Sequence, residues 1–313
     1  MNASRDTIGV LFLGCGAAAR MHSRTLRHIR GVELSYASRD PVRAESCRRA
    51  FGGRRAFGSY DGGLADPSVT VAIVATPTAF HRELAVNALR AGKHVIIEKP
   101  AFMRSTDADV VRQIACATSR SVFVAENYAY KPIAAHLRRV IEAGDLGDVR
   151  FVSINATKRQ RVRGWRSDAA LSGGGALFEG GVHWVSFAAN IGLEVEHAMV
   201  QRADGVDGQE RSSLVVFRYA NGAIGTLAHS WELAAPFGGL RLSKVQGTLG
   251  AVTFESNGML AVTTGRRRSV KLFAHRDPLG YRGMFVDFLH ALRTGEPPQF
   301  TLAMAQRDLR LLE

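Results

Sequence analysis

Lys99 closes the run His94-Val95-Ile96-Ile97-Glu98-Lys99-Pro100. The apolar centre of that run reads as a buried strand stopped by proline. Its ammonium must therefore emerge at the carboxyl edge of a sheet, where ligands of open α/β sheets bind. A second constellation is Glu179 with His183. If the chain is helical from about Ala176, these two stand at i and i+4 on one face, and a carboxylate beside an imidazole can relay a proton. The same spacing also fits a surface ion pair, or a core histidine satisfied by its neighbour. The third is Gly14-Cys15-Gly16-Ala17-Ala18-Ala19, a G-x-G-x-x-A turn between the apolar run Ile8-Gly9-Val10-Leu11-Phe12-Leu13 and a helical stretch through about His28. Gly14 permits the tight turn, Gly16 lets the backbone approach a pyrophosphate, and Ala19 lets the helix pack close, with its N-terminus facing the anion. A strand-to-helix turn without a ligand is the plain alternative.

The elements that must position these groups alternate through the first half. A strand over residues 32–37 completes a βαβ unit, and its end is where the acid that reads a ribose normally sits. Ser38 and Arg39 hold that place. A hydroxyl beside a guanidinium removes the repulsion of a carboxylate and can hold a 2′-phosphate, which favours NADP(H) over NAD(H), with Arg43 as a helper one turn into the next helix. The alternative is that Asp40 does the acid's work and Arg39 is solvated. Residues 69–75 read as another strand, turning through Ala75-Thr76-Pro77-Thr78 into a helix over 80–91, and residues 122–125 as a strand ending in Glu126-Asn127-Tyr128. Thr76, Lys99 and Asn127 thus leave carboxyl ends of strands in one sheet and can converge over a cofactor crevice. His81, near a helix start, joins them or plays a structural role.

Composition sets the frame. A chain of 313 residues with 46% apolar content is long enough for two domains with their own cores. It has no apolar run long enough to span a membrane, and residues 1–6 are polar without a signal-peptide pattern, so a soluble, unexported protein is expected. Three spaced cysteines, Cys15, Cys47 and Cys116, suggest neither a disulfide frame nor a metal site, which fits a reducing cytoplasm. The net charge of +13 raises nucleic acid as a partner. Its arginines are dispersed, however, in short clusters such as Arg266-Arg267-Arg268 and Arg159-Gln160-Arg161-Val162-Arg163. No recognition motif accompanies them, so neither a specific nucleic acid nor a membrane is expected.

The ordered set Gly14 to Ala19, Thr76-Pro77 with His81, Ala91-Gly92-Lys93-His94-Val95 into Glu98-Lys99-Pro100, and Glu126-Asn127-Tyr128 resembles the glucose-fructose oxidoreductase and inositol dehydrogenase (Gfo/Idh/MocA) family. The resemblance covers nearly the whole chain, and Ser172-Gly173-Gly174-Gly175-Ala176-Leu177-Phe178-Glu179-Gly180-Gly181-Val182-His183 looks like its glycine-rich segment ending in histidine. It implies Lys99 and His183 as the catalytic pair, with Glu179 standing where the family has aspartate. It implies a cofactor bed of Gly14, Cys15, Gly16, Ala17, Ala18, Ser38, Arg39, Arg43, Ala75, Thr76, Pro77, His81, Glu98, Lys99 and Asn127. Substrate contacts are expected from Lys99, Tyr128, Trp165, Arg166 and His183; Trp165 fits the core equally well.

From about Val149 the pattern becomes β-rich and alternating, with Asn221-Gly222 and Asn257-Gly258 as tight-hairpin signals. Residues 282–293 read as an amphipathic helix closing that half. The expected architecture is an α/β Rossmann domain over residues 1–127, then an α+β domain over 128–313 with a large, mainly antiparallel open sheet. The expected activity is NAD(P)-dependent interconversion of an alcohol and a ketone on a sugar, deoxysugar, inositol or similar cyclic polyol, without a metal. A homodimer or homotetramer through the C-terminal sheet is expected as well. A non-catalytic NAD(P)-binding sensor on the same fold, or an NAD-dependent glycosidase, stays open as an alternative.

Overall fold

Short apolar runs covered on both faces build the first sheet of the computed structural model. Strands β1 (Ile8–Leu13), β2 (Val32–Ala37), β3 (Arg55–Phe57), β4 (Val71–Val74), β5 (His94–Ile97) and β6 (Val122–Val124) lie in the order β3-β2-β1-β4-β5-β6. Every pairing is parallel. Helices α1 (Ala17–Leu26), α2 (Pro41–Phe51), α3 (Tyr60–Leu64), α4 (His81–Arg90) and α5 (Asp107–Thr118) connect them. The order reverses between β1 and β4, and at such a switch the carboxyl ends of the strands open a crevice. β3 escapes the sequence pattern because Arg55-Ala56-Phe57 is too short and mixed to read as a strand.

The structure describes residues 7–203, 209–235, 239–266, 268–273 and 277–313. The polar residues 1–6 and Arg267 of the arginine triplet lie outside the described residues. The first unit comprises the residues up to Ala125 together with Met284–Gln306, and the second Glu126–Gly283 with Arg307–Glu313. The helix Tyr281–Thr294 therefore does not simply close the second unit as its amphipathic pattern suggested. From Met284 on it belongs to the first: Phe285 meets the His22 ring edge-on at 5.1 Å, and Phe288 stacks on Phe123 at 4.9 Å. Both phenylalanines are fully buried, and each such side chain contributes about 1.5–3 kcal/mol. An apolar stripe states that a face is buried, not which sheet buries it.

The second unit opens with α6 (Pro132–Glu142), β7 (Val149–Thr157), α7 (Ala169–Ser172) and α8 (Val182–Ala189). It continues through β8 (Val195–Arg202), β9 (Ser212–Tyr219), β10 (Ile224–Ser230), β11 (Leu242–Gly247), β12 (Ala251–Glu255), β13 (Leu260–Thr264) and β14 (Ser269–Leu272). These strands form one sheet in the order β14-β13-β12-β11-β7-β10-β9-β8, antiparallel except where β7 runs parallel to β10. Both hairpin signals hold. Asn221-Gly222 joins β9 to β10, with Gly222 at φ +82°, and Asn257-Gly258 joins β12 to β13. One sheet face packs on α6 and α8 through Val152, Ile154, Phe217, Phe254, Leu137 and Phe187. Among the described residues no helix is long and apolar enough to cross a membrane.

Candidate active site

In the first unit, the turn after β1 is built by exclusion. Gly14 sits at φ +103°, and a Cβ there would lie 2.7 Å from the Ala75 carbonyl oxygen, so only glycine lets the turn pass the end of β4. Gly16 differs. A Cβ on it would meet nothing within 4 Å, and no side chain caps α1. Fully buried Ala19 seats the helix, and the thiol of Cys15, pushed up to about 12 chiefly by burial, stays neutral. At the end of β4 the Thr76 hydroxyl is buried with no hydrogen-bond partner among the described residues. An uncapped helix N-terminus beside a glycine with open space, and an orphaned hydroxyl one strand away, fit the pyrophosphate of a dinucleotide.

At the end of β2, Ser38 is buried and its hydroxyl accepts the Asp40 amide at 3.1 Å. The Asp40 carboxylate caps α2 by accepting from the Val42 amide at 3.0 Å and pairs with Arg43 at 3.3 Å. The exposed Arg39 guanidinium lies 5.7 Å from the centre of the Phe80 ring. Asp40 is thus engaged in closing its own helix while staying half exposed, and both Arg39 and Arg43 face solvent.

Lys99 follows β5, and two buried neighbours hold the backbone around it. Burial, the largest single influence, would raise the Glu98 carboxyl; contact with His22, together with Lys99 and its amide, which donates to Glu98 Oε2 at 3.0 Å, outweighs it and holds the carboxyl down to about 2. His81, pulled below its ordinary value chiefly by burial, places Nε2 3.0 Å from the Thr76 carbonyl oxygen and Nδ1 3.0 Å from that of Pro100. A neutral imidazole carries one N–H, so the inaccessible His81 ring donates to one of these carbonyls and packs against the other, between the two turns. It braces the turn at Thr76 against the one at Pro100, next to Lys99.

In the second unit, Glu126 leaves β6, and its carboxylate accepts from the Tyr128 amide at 3.0 Å and from His183 Nδ1 at 2.7 and 2.9 Å. The Tyr128 ring stacks on His183, centroids 4.4 Å apart and 10° from parallel, and meets Trp184 edge-on at 5.0 Å. Lys131, fully buried, lies over the far side of this cluster with Nζ 3.6 Å from the Tyr128 ring centre. Burial pulls that ammonium down to about 7 against the opposing pull of Glu255 and Glu126. The imidazole is therefore fixed at one nitrogen and on one face. With Nδ1–H donated to Glu126, Nε2 is its basic position.

Residues 8–128 match the model of an oxidoreductase family with an NAD-binding Rossmann fold, and residues 134–253 match the GFO/IDH/MocA C-terminal domain. The chain belongs to the GFO/IDH/MocA family. It is similar to the dTDP-3,4-didehydro-2,6-dideoxy-alpha-D-glucose 3-reductase of Streptomyces violaceoruber, 32% identical over 66% of this chain and 63% of that protein. It is also similar to the glucose-6-phosphate 3-dehydrogenase of Bacillus subtilis, 30% identical over 68% of this chain and 62% of that protein. The matched stretches thus span less than two thirds of these relatives' length. A 3-ketoreductase from Actinomadura kijaniata, solved with NADP and TDP-benzene, shares the fold at a TM-score of 0.82 and 21% identity, over 97% of this chain and 95% of that one.

Within this GFO/IDH/MocA chain the expected pairing of Glu179 with His183 needs correction. The carboxylate on His183 Nδ1 is that of Glu126, while Glu179 Oε1 accepts from Arg166 Nε at 2.7 Å. The glycine-rich segment does form the helix, through a π-helical turn at Leu177–Gly181 leading into α8. A four-residue spacing brings side chains near without choosing partners, and a permanently charged guanidinium makes the stronger bond to a carboxylate. Trp165 and Arg166 occupy a short turn, Gly164–Ser167, with the guanidinium 4.7 Å from the Trp165 ring centre. Asn127 belongs to the second unit and donates from Nδ2 to the Leu279 carbonyl at 2.6 Å, so it secures a turn there. Sequence reasoning missed Lys131, and saw Glu126 only as part of a motif. A carboxylate leaving a strand beside the expected site was the available signal for Glu126; nothing marked the lysine.

Proposed function

We propose that this protein is an NAD(P)-dependent oxidoreductase that interconverts an alcohol and a ketone on a sugar, deoxysugar, inositol or similar cyclic polyol, with NADP(H) preferred. The observation that carries this reading is the imidazole of His183, held through Nδ1 by Glu126 and stacked on Tyr128, which makes Nε2 the nitrogen that takes up or gives back a proton. The nicotinamide, when bound, supplies the hydride acceptor or donor. In the oxidative direction His183 takes the hydroxyl proton as the carbon gives up its hydride, and in reduction it returns that proton. Lys99 orients the carbinol oxygen and stabilises the charge that grows on it. Tyr128, Trp165 and Arg166 line the substrate's place, and Glu179 acts by holding Arg166.

The preference for NADP(H) rests on the engagement of Asp40 in its helix cap and on the exposed Arg39 beside Ser38. The outer face of the second unit's sheet supports a homodimer or homotetramer. Phe151 pairs with Ile224 and Val216 with Met199 across it, and Phe151, Met199 and Leu242 are each at least half exposed.

One experiment tests the activity: a panel of sugars and cyclitols with NAD(H) and NADP(H), read by nicotinamide absorbance and cofactor titration. Turnover with a polyol is expected, with NADP(H) bound at least tenfold more tightly and that advantage lost in Arg39→Ala. Lys99→Ala is expected to lower turnover about 100-fold or more with cofactor affinity within about threefold. Tight cofactor binding without turnover across the panel would make the protein a sensor, and turnover without net change in cofactor would make it a glycosidase.

A further inference from the structure

The arginine run 159–163, unexplained by the fold, lines a cavity of the second unit. Beyond Thr157 the chain continues alongside β10, with the amides of Lys158 and Gln160 donating to the carbonyls of Ser230 and Trp231 at 2.9 and 2.7 Å. Side chains alternate along extended backbone, so Arg159, Arg161 and Arg163 can share one side. All three line a cavity of about 360 Å³, as do the intervening Gln160 and Val162 and, from the side of β9 and β10, Arg211 and Trp231. Glu232 also lines it and pairs with Arg211 at 3.2 Å. Arg159, Arg161 and Arg163 have no ion-pair or hydrogen-bond partner among the described residues. Three like charges gathered on one small cavity repel one another unless an anion enters.

Two further observations give the cavity a direction. Trp231, also shared with an adjoining cavity of about 640 Å³, is 3% exposed, and its Nε1 has no hydrogen-bond partner among the described residues. A buried indole N–H without a partner on a cavity wall is a donor waiting for an acceptor. The same atom lies 3.1 Å from where a Cβ on Gly180 would stand, and Gly180 is on the turn that leads into His183. The adjoining cavity is lined by Gly174 and Gly175 of that glycine-rich segment. The anion-attracting wall and the segment that carries the imidazole are thus continuous within one unit.

We infer that the substrate is a phosphorylated sugar, its phosphoryl group held by Arg159, Arg161, Arg163 and Arg211 and its sugar extending into the larger cavity past Trp231. This rests on the oxidoreductase reading and narrows its substrate class. Phosphate oxygens match guanidinium geometry, and a planar fork can bind two of them at once. The phosphoryl group comes from a phosphomonoester or from a nucleoside diphosphate; both present the same oxygens.

Isothermal titration of the whole protein with glucose 6-phosphate, dTDP-glucose, glucose and inorganic phosphate tests the site without requiring turnover. At least one phosphorylated sugar is expected to bind saturably and at least tenfold more tightly than glucose or inorganic phosphate. In Arg161→Gln/Arg163→Gln, two exposed positions, that binding is expected to fall tenfold or more with the melting temperature unchanged. In Arg49→Gln/Arg54→Gln, in the first unit, it is expected to stay. The tighter of the two phosphorylated probes identifies the source of the phosphoryl group. Binding no tighter than inorganic phosphate would mean an adventitious ion only, and affinity unaffected by the double variant would remove the arginines from the site; either overturns the inference. Turnover of neutral polyols with no binding of phosphorylated ones would overturn it while sparing the oxidoreductase. Arginine-dependent binding without turnover under either cofactor would do the reverse.

Discussion

Two carboxylates compete for the role of partner to His183, and charge separates them. Glu126 is committed to the imidazole and the Tyr128 amide, whereas Glu179 answers the Arg166 guanidinium. Glu126→Gln replaces a charged acceptor with a neutral amide that can present the wrong atom to Nδ1, so turnover is expected to fall roughly 10- to 100-fold. Glu179→Gln keeps an oxygen for Arg166 and should cost less than about fivefold. Steady-state kinetics on both, with a melting curve to confirm folding, would reverse this assignment if the Glu179 variant were the weaker enzyme. Lys131 supplies a prediction in pH. Its ammonium falls from 10.5 to about 7 through burial, so between those values the folded protein holds fewer protons than the unfolded chain. Stability linked to this group must then rise with pH across that window, and below it the cost of burying the charge is present in full. Urea unfolding at several pH values in the window should show a less positive pH slope in Lys131→Met than in the native protein. Parallel slopes would mean that Lys131 stays charged under the Tyr128 ring.

The strand-to-helix turn after β1 makes its own prediction, because its two glycines are glycine for different reasons. At Gly14 a side chain meets the Ala75 carbonyl and an unfavourable φ, so Gly14→Ala is expected to destabilise the protein by roughly 2–4 kcal/mol. At Gly16 the backbone is extended and the space is open, so Gly16→Ala should cost less than about 1 kcal/mol yet weaken cofactor binding about tenfold or more. Denaturant unfolding and cofactor titration on the pair separate the two; a Gly16→Ala protein with native cofactor affinity would remove the pyrophosphate from that turn. This element was legible in sequence because a G-x-G-x-x-A turn is local: its reasons lie within a few residues of β1 and in one carbonyl of β4. The glycine-rich segment ending in His183 was legible too, with its helix from about Ala176 only a condition. Its side-chain partners were not, since Arg166 and Glu126 arrive from other elements.

Across the molecule, the eight-stranded sheet of the second unit has one face in the core and one carrying exposed Phe151, Ile224, Leu214, Met199 and Leu242. A sheet this wide with apolar side chains on its outer face is suited to a second copy of the chain. Light scattering is expected to give at least a dimer for the native protein, and a smaller species for Phe151→Lys/Leu242→Lys with cofactor binding kept. A native protein that is monomeric at micromolar concentration would end that reading.

The amino-acid sequence by itself determined the order of strands and helices in the first half apart from the short β3 and α3, the parallel sheet they form, the dinucleotide-binding turn and both asparagine-glycine hairpins. Each follows from short-range periodicity, from backbone angles only glycine adopts readily, or from the burial of apolar runs. Only the tertiary structure decided which carboxylate holds His183, that His81 is a brace between Thr76 and Pro100, that Lys131 is buried over Tyr128, and that the chain returns to the first unit at Met284. Those outcomes depend on groups far apart in the chain competing for one partner or one buried face. Such competition is settled by distance and charge in space, which spacing along the chain does not encode.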